Sequence, residues 1–230
     1  MQQTYWIGRS AQFELGHVSC HFYFEYDNNY NLAKLNEAFV AVVEQNDILR
    51  AVVLSTGKLK VLEKVKKYVI EEEDLTSFDL KDVEEHLLQK RQKLAHSGFN
   101  PEKWPMFDIK ASKLSPGNYR FLSSHFLHTD SIFRLHINVD HILMDIKNTL
   151  KMFQQWNNIY HKLLKSEPIP PPLTLLTYRD YTMACQKVEQ MKVFKKSQEY
   201  WMNRISSLPG APQLPVIADF GKLKKQTFTR

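Results

Sequence analysis

The chain has 230 residues, 43% of them hydrophobic and 24% charged, with a formal net charge of +6. That balance suits a globular protein with a sizeable core. No apolar run approaches the ~20 residues of a membrane span, and Met1-Gln2-Gln3-Thr4-Tyr5-Trp6 lacks the basic-then-apolar order of a secretory leader. The excess charge does not make a phosphate track, because Lys58, Lys60, Lys64, Lys66 and Lys67 alternate with Glu63 and run into Glu71, Glu72 and Glu73. A nucleic-acid partner is therefore not expected, although a mildly basic face suits an acidic protein partner. Cys20 and Cys185 have no metal-ligand spacing and read as free thiols of a reducing, cytoplasmic compartment. No spacing among the histidines predicts a metal site.

In chain order, Val18, Cys20, Phe22, Phe24 and Tyr26 alternate with polar residues, which predicts a half-buried strand. Leu32, Leu35, Phe39, Val42 and Val43 recur at helical spacing over Asn31–Glu44. Two short strands, Ala51–Leu54 and Leu59–Leu62, flank Ser55-Thr56-Gly57-Lys58, where Gly57 supplies the positive φ of a hairpin turn. A strand is predicted over Tyr68–Ile70, then a helix over Leu80–Ala95 burying Val83, Leu87, Leu88 and Leu94. Trp104-Pro105 precedes a strand over Phe107–Ser112, with further strands over Tyr119–Phe126 and Ile132–Val139. A helix over Lys147–Leu164 carries Leu150, Phe153, Trp156, Ile159, Tyr160 and Leu163. Pro168-Ile169-Pro170-Pro171-Pro172 reads as an extended spacer, followed by one long helix over Tyr178–Ser206. The order predicts an α/β sandwich, that is, an α+β arrangement with a mixed sheet and flanking helices. The helix after the spacer cannot build a core alone.

The residues of most chemical interest are Val139-Asp140-His141-Ile142-Leu143-Met144-Asp145, at a strand end before a helix. His141 and Asp145 form His-x-x-x-Asp; Asp140 and Asp145 form Asp-x-x-x-x-Asp. An imidazole ordinarily titrates near neutrality, so it can orient or deprotonate a nucleophile in acyl transfer. A nearby carboxylate more often pins a loop by an ion pair. Neighbours on a strand face opposite ways, so Asp140 and His141 are expected to share a face only if the strand has ended. His136 falls on Asp140's side of the strand and reads as a satisfied core histidine, and Trp104 and Phe107 read as core.

Several segments together resemble the condensation domains of nonribosomal peptide synthetases, and the heterocyclization type among them. Gln2-Gln3-Thr4-Tyr5-Trp6-Ile7-Gly8-Arg9 is similar to that type's opening motif, and Asp47-Ile48-Leu49-Arg50-Ala51-Val52 to its second. Phe99-Asn100-Pro101-Glu102-Lys103-Trp104-Pro105-Met106-Phe107-Asp108-Ile109 is similar to its Asp-Pro-x-x-Trp-Pro-x-Phe segment. Leu173-Thr174, Tyr178-Arg179-Asp180-Tyr181, Tyr200–Arg204 and Leu208–Pro215 resemble the two ends of its lobe-crossing helix. These matches stand in family order.

The resemblance implies a chloramphenicol-acetyltransferase-like lobe over residues 1–167, a linker over 168–177 and the beginning of a second lobe over 178–230. It implies substrates brought to a tunnel between lobes on the phosphopantetheine arms of carrier proteins, with no cofactor bound to the chain itself. The reaction would be condensation followed by cyclodehydration of Cys, Ser or Thr to a thiazoline or oxazoline. Partners would be carrier proteins, an adenylation domain and the second lobe.

By the same resemblance Asp140, His141 and Asp145 are the catalytic candidates, Arg50 the ion-pair partner of Asp145, and Asn148 a supporting residue where the family has Ser. Tyr5, Trp6 and Arg9 would brace the lobe or lie on the substrate and carrier side. Gln45-Asn46 departs from the family's Arg-His, and Ile146 stands where ordinary condensation domains have Gly, so it is expected to crowd a turn. With only part of the second lobe, the chain is expected to be weakly active or inactive. Two other readings are a single-lobe trimeric acyltransferase using His141 and a non-catalytic remnant that binds a carrier protein.

Overall fold

The computed structural model describes residues 2–9, 19–115, 132–210 and 215. The chain divides into two units, Met1–Leu173 and Thr174–Arg230.

The first unit is built on a four-stranded mixed sheet ordered β1-β6-β5-β4. β1 (His21–Asn28) and β5 (Phe107–Leu114) both lie antiparallel to β6 (Ile132–Asp140), and β4 (Glu71–Asp74) runs parallel to β5. On β6, Phe133, Leu135, Ile137 and Val139 alternate with Arg134, His136, Asn138 and Asp140, so one face is apolar and the other polar. Two helices cover the apolar face, α2 (Leu32–Gln45) and α4 (Ile146–Leu164). Phe39 of α2 meets Trp156 of α4 at 4.8 Å and Phe107 of β5 at 5.3 Å between ring centres, and the Trp156 indole N–H donates to Leu35 O. Asn31 caps α2 by accepting from Lys34 N, a partner for one of the orphaned first-turn donors.

The polar face is covered by α3 (Leu80–His96), capped by Asp79. Asn138 donates to Leu94 O and Ser97 O at the end of that helix. Arg91 forks onto Glu25 of β1, and Arg134 forks onto Asp27. The fully buried His136 lies between two hydroxyls: Tyr23 Oη at 2.8 Å from Nδ1 and Ser112 Oγ at 3.2 Å from Nε2. Lys90 donates to the same Ser112 and pairs with Glu73. Burial, reinforced by the charge of Lys90, pushes the His136 imidazole down to about 4, so it is neutral in the folded protein. Burial alone would raise the Glu25 carboxyl, but hydrogen bonds from Arg91 and Tyr23 bring it below its ordinary value.

Most predicted elements lie where the periodicity puts them, including the β2–β3 hairpin (Ala51–Val53, Leu59–Val61), with Gly57 at φ 75°. Three expectations need correction. Tyr68–Ile70 is not a strand: Tyr68 packs against Phe39 and Phe107, and the strand is the acidic run that follows, because pairing with β5 rather than hydrophobic alternation fixes it. Leu88 is about half exposed rather than buried; it lies one residue off its helix's apolar stripe. The long helix over Tyr178–Ser206 is two, α5 (Tyr178–Glu189) and α6 (Lys192–Arg204). Between them Met191 takes an extended backbone and becomes the N-cap of α6, with neither Gly nor Pro to signal it. The strand expected over Tyr119–Phe126 lies outside the described residues.

The second unit, by itself, shows α5 opening on a capping box in which Thr177 and Asp180 each accept from the other's backbone N–H. Neither α5 nor α6 has a buried residue, and Tyr181, Val193, Tyr200 and Trp201 are exposed. Among the described residues no helix is long and apolar enough to cross a membrane.

Candidate functional site

β6 ends at Asp140, and the chain turns through His141-Ile142-Leu143 before α4. The turn is made by Asp140 itself: its carbonyl accepts from Leu143 N at 3.1 Å, and its carboxylate accepts from Ile142 N at 2.9 Å. The last residues of β6 are held from both sides, by Asp140 N donating to Met106 O and His141 N to Cys20 O.

Asp140 and His141 then part. The Asp140 side chain has no solvent exposure and points to the polar face, where the Arg9 guanidinium binds both carboxylate oxygens. Ser19 Oγ approaches the same carboxylate at 3.4 Å, and Arg9 also donates to Phe99 O at 3.0 Å. Arg9 is nearly buried, so the pair is a desolvated ion pair that neither partner can leave cheaply. Among the described residues the Asp140 carboxylate thus takes up Arg9, Ile142 N and Ser19 Oγ, and it anchors the N-terminal segment to the sheet.

His141 faces the other way. Its ring lies between Tyr5, stacked at 4.8 Å, and Phe22, tilted at 4.2 Å. Phe22 continues through Phe24 and Phe153 to Trp156, so an aromatic file joins the imidazole to the core. His141 is half-buried, and neither ring nitrogen is hydrogen-bonded among the described residues. Of the predicted three it is the one whose side chain is held by ring contacts and makes no hydrogen bond among the described residues.

Asp145 is exposed and caps α4, accepting from Asn148 N at 2.8 Å, while Thr149 donates its hydroxyl to Asp145 O. The expected pairing of Asp145 with Arg50 does not form. Arg50 instead donates to Val43 O and Glu44 O at 2.7 Å each, and to Leu62 O. The first two are carbonyls left open at the end of α2, a natural demand on a guanidinium there. Asn148 contributes its backbone N–H, and its side chain is exposed. Ile146 does not crowd a turn: it is the first residue of α4, exposed and at an ordinary backbone angle. Gln45 and Asn46 both bond Gln155 of α4, and Gln45 also donates to Pro170 O.

The opening segment closes this end of the sheet. Helix α1 (Gln2–Ile7) sends Gln2 to Ile142 O at 2.7 Å and Tyr5 onto His141. Trp6 covers Gly57, where a Cβ would meet its ring at 2.9 Å. Gln2, Tyr5 and Arg9 therefore brace the turn that carries His141, while Trp6 packs on the β2–β3 hairpin. Sequence reasoning missed Phe22 and Ser19, because only the register of β1 against β6, with Phe22 opposite Val139 and His21 opposite Asp140, brings them there. Cys20 sits beside the site; burial and then the Asp140 carboxylate raise its thiol, which disfavours a thiolate nucleophile. Among the described residues no group of three His, Cys, Asp or Glu is placed to hold a metal ion.

The family model for the condensation domain matches residues 1–229. Pyochelin synthetase PchF of Pseudomonas aeruginosa is 29% identical over 220 residues, 95% of this chain and 11% of its own length. Bacitracin synthase 1 of Bacillus licheniformis is 25% identical over 230 residues, 100% of this chain and 4% of its own. Among solved structures, the EpoB cyclization-docking bidomain of a nonribosomal peptide synthetase from Sorangium cellulosum superposes with a TM-score of 0.79 at 29% identity, covering 97% of this chain and 41% of that one. The chain thus spans well under half the length of these proteins. It belongs to the condensation-domain family, with cyclization-type proteins among its relatives.

Proposed function

We propose that this chain supplies the lobe of a cyclization-type condensation domain that carries His141 to the reacting thioesters. The reading rests on one observation above the others: at the end of β6 a free imidazole is clamped between two rings while the neighbouring carboxylate is consumed by Arg9. The substrates are an acyl group and a Cys, Ser or Thr residue, each a thioester on the phosphopantetheine arm of a carrier protein. The amine of the second attacks the thioester carbonyl of the first; the C–N bond forms, the C–S bond breaks, and the sulfur leaves with a proton. His141 orients the amine and takes its proton. Asp145 acts through the helix it caps, as a positioning residue.

The partners are carrier proteins, an adjoining adenylation domain and the second lobe of the domain, all of one cytoplasmic assembly line. Two-sided positioning of the two arms between lobes can be worth ~7–11 kcal/mol of barrier.

The test joins the chain to the remaining lobe of a cyclization-type relative and supplies both loaded carriers. Intact-protein mass spectrometry should show amide formed on the acceptor carrier, followed by loss of water, and His141→Ala should slow the amide step by ~100-fold or more. Equal rates for His141→Ala and the unaltered chain would remove His141 from the reaction.

A further inference from the structure

A groove of about 530 Å³ lies in the first unit between the C-terminal half of α2 and residues 63–68. Its floor is apolar, made by Val43, Val65 and Tyr68, and its rim carries Arg50, Lys64, Lys66 and Lys67. Glu44 and Glu63 also line it, so cations outnumber carboxylates two to one. None of the four cations has a carboxylate within ion-pair distance among the described residues, whereas Lys90, Arg91, Lys110 and Arg134 each have one.

Arg50 is already bonded to the carbonyls of Val43, Glu44 and Leu62, so the open charges are Lys64, Lys66 and Lys67, and the main chain beside them is open too. Leu62 N donates to Arg50 O, and the next backbone partners are Tyr68 O and Ile70 N, both satisfied by the Asn36 side chain. Between them the backbone of residues 63–67 belongs to no helix or strand and makes no hydrogen bond among the described residues. Backbone N–H and C=O groups are obligatory hydrogen-bonding groups, and a row of them beside an apolar floor can template a second chain.

The geometry points to this groove as a docking site for an acidic peptide segment, one that pairs its backbone with residues 63–67, places its carboxylates on Lys64, Lys66 and Lys67, and rests apolar side chains on Val65 and Tyr68. A small anion could use the lysines and some N–H groups but would leave the open carbonyls and the apolar floor unused. The chain's own tail is excluded as occupant by charge, because Lys222, Lys224 and Lys225 would meet a basic rim. The inference is independent of the chemistry assigned to His141.

The probe is a labelled peptide of alternating Glu and Val, added to the whole chain, with a Lys–Val peptide as control. Fluorescence anisotropy should show saturable binding of the Glu–Val peptide, weakened by added salt and roughly tenfold or more by Lys64→Glu/Lys66→Glu/Lys67→Glu. These lysines are exposed, so the triple variant should melt as the unaltered chain does. Hydrogen exchange on the unaltered chain needs no variant: the peptide should slow the amides of residues 63–67. Unslowed exchange there, unchanged affinity in the triple variant, or equal binding of the Lys–Val peptide would overturn the proposal. Protection by inorganic phosphate alone would give the groove to a small anion and overturn it as well.

Discussion

The two faces of β6 are built on different terms. Phe133, Leu135, Ile137 and Val139 are held by contact with α2 and α4, and dispersion and burial ask only for shape and volume. Arg134, His136, Asn138 and Asp140 are held by named partners, several of which are themselves held by another: Tyr23 by Glu25, and Arg9 by Phe99 O. The first face tolerates substitution in proportion to lost area. On the second, losing a partner costs more than the bond it made, because it leaves a buried polar group unsatisfied; Asn138 Oδ1 and Arg9 Nε are already buried without a partner among the described residues. The candidate site sits where the two faces end: Asp140 closes the polar file, and His141 opens onto the aromatic end of the apolar one.

Four changes sharpen that contrast, from the largest expected effect to the smallest. On the polar side, Asp140→Ala strands the nearly buried Arg9 and should cost about 3–5 kcal/mol in urea unfolding. On the apolar side, Phe39→Ala removes a fully buried ring that three other aromatic rings contact, and should cost a similar ~3–5 kcal/mol. The polar face alone should respond to acid. His136 falls from its ordinary 6.5 to about 4, so the unfolded chain takes up its proton before the folded one does. The stability tied to neutral His136 is complete above about pH 6.5 and drains as the pH falls to about 4, by at most about 3 kcal/mol. The groups facing it are Tyr23 and Glu25 from β1, Arg134 from β6, Ser112 from β5, and Lys90 and Arg91 from α3. His136→Gln should flatten the urea midpoint over that window, and an unchanged slope would place the acid sensitivity elsewhere. The smallest effect is at the helix cap: Asp145→Ala should cost about 1 kcal/mol, and Asp145→Asn almost nothing, since either oxygen-bearing side chain accepts from Asn148 N.

The apolar face was legible in the sequence because periodicity writes it directly: Leu35, Phe39 and Val42 of α2 and Trp156, Ile159 and Leu163 of α4 are buried where their spacing puts them. The polar face was half legible. Alternation along β6 gave the parity of His136 and Asp140, but not their partners, of which Tyr23 and Arg9 lie more than a hundred positions away. Arg9 was visible as a site residue and Arg50 as an anchor, yet the anchoring of a carboxylate fell to Arg9, because the carbonyls closing α2 claim Arg50 first. The break at Met191 and the acidic strand β4 had no local signal, since backbone pairing and capping, not side-chain pattern, decide them.

The account turns on the division of labour at the end of β6, with Asp140 as anchor and His141 left free. A double-mutant cycle on Arg9 and Asp140, using Arg9→Met, Asp140→Asn and the pair, reads it directly from urea unfolding free energies. The account predicts a coupling of ~1.5 kcal/mol or more, with the double variant more stable than the sum of the singles implies. Additive losses within ~0.5 kcal/mol would show that Arg9 does not hold Asp140, and would return that carboxylate to the list of groups open to substrate.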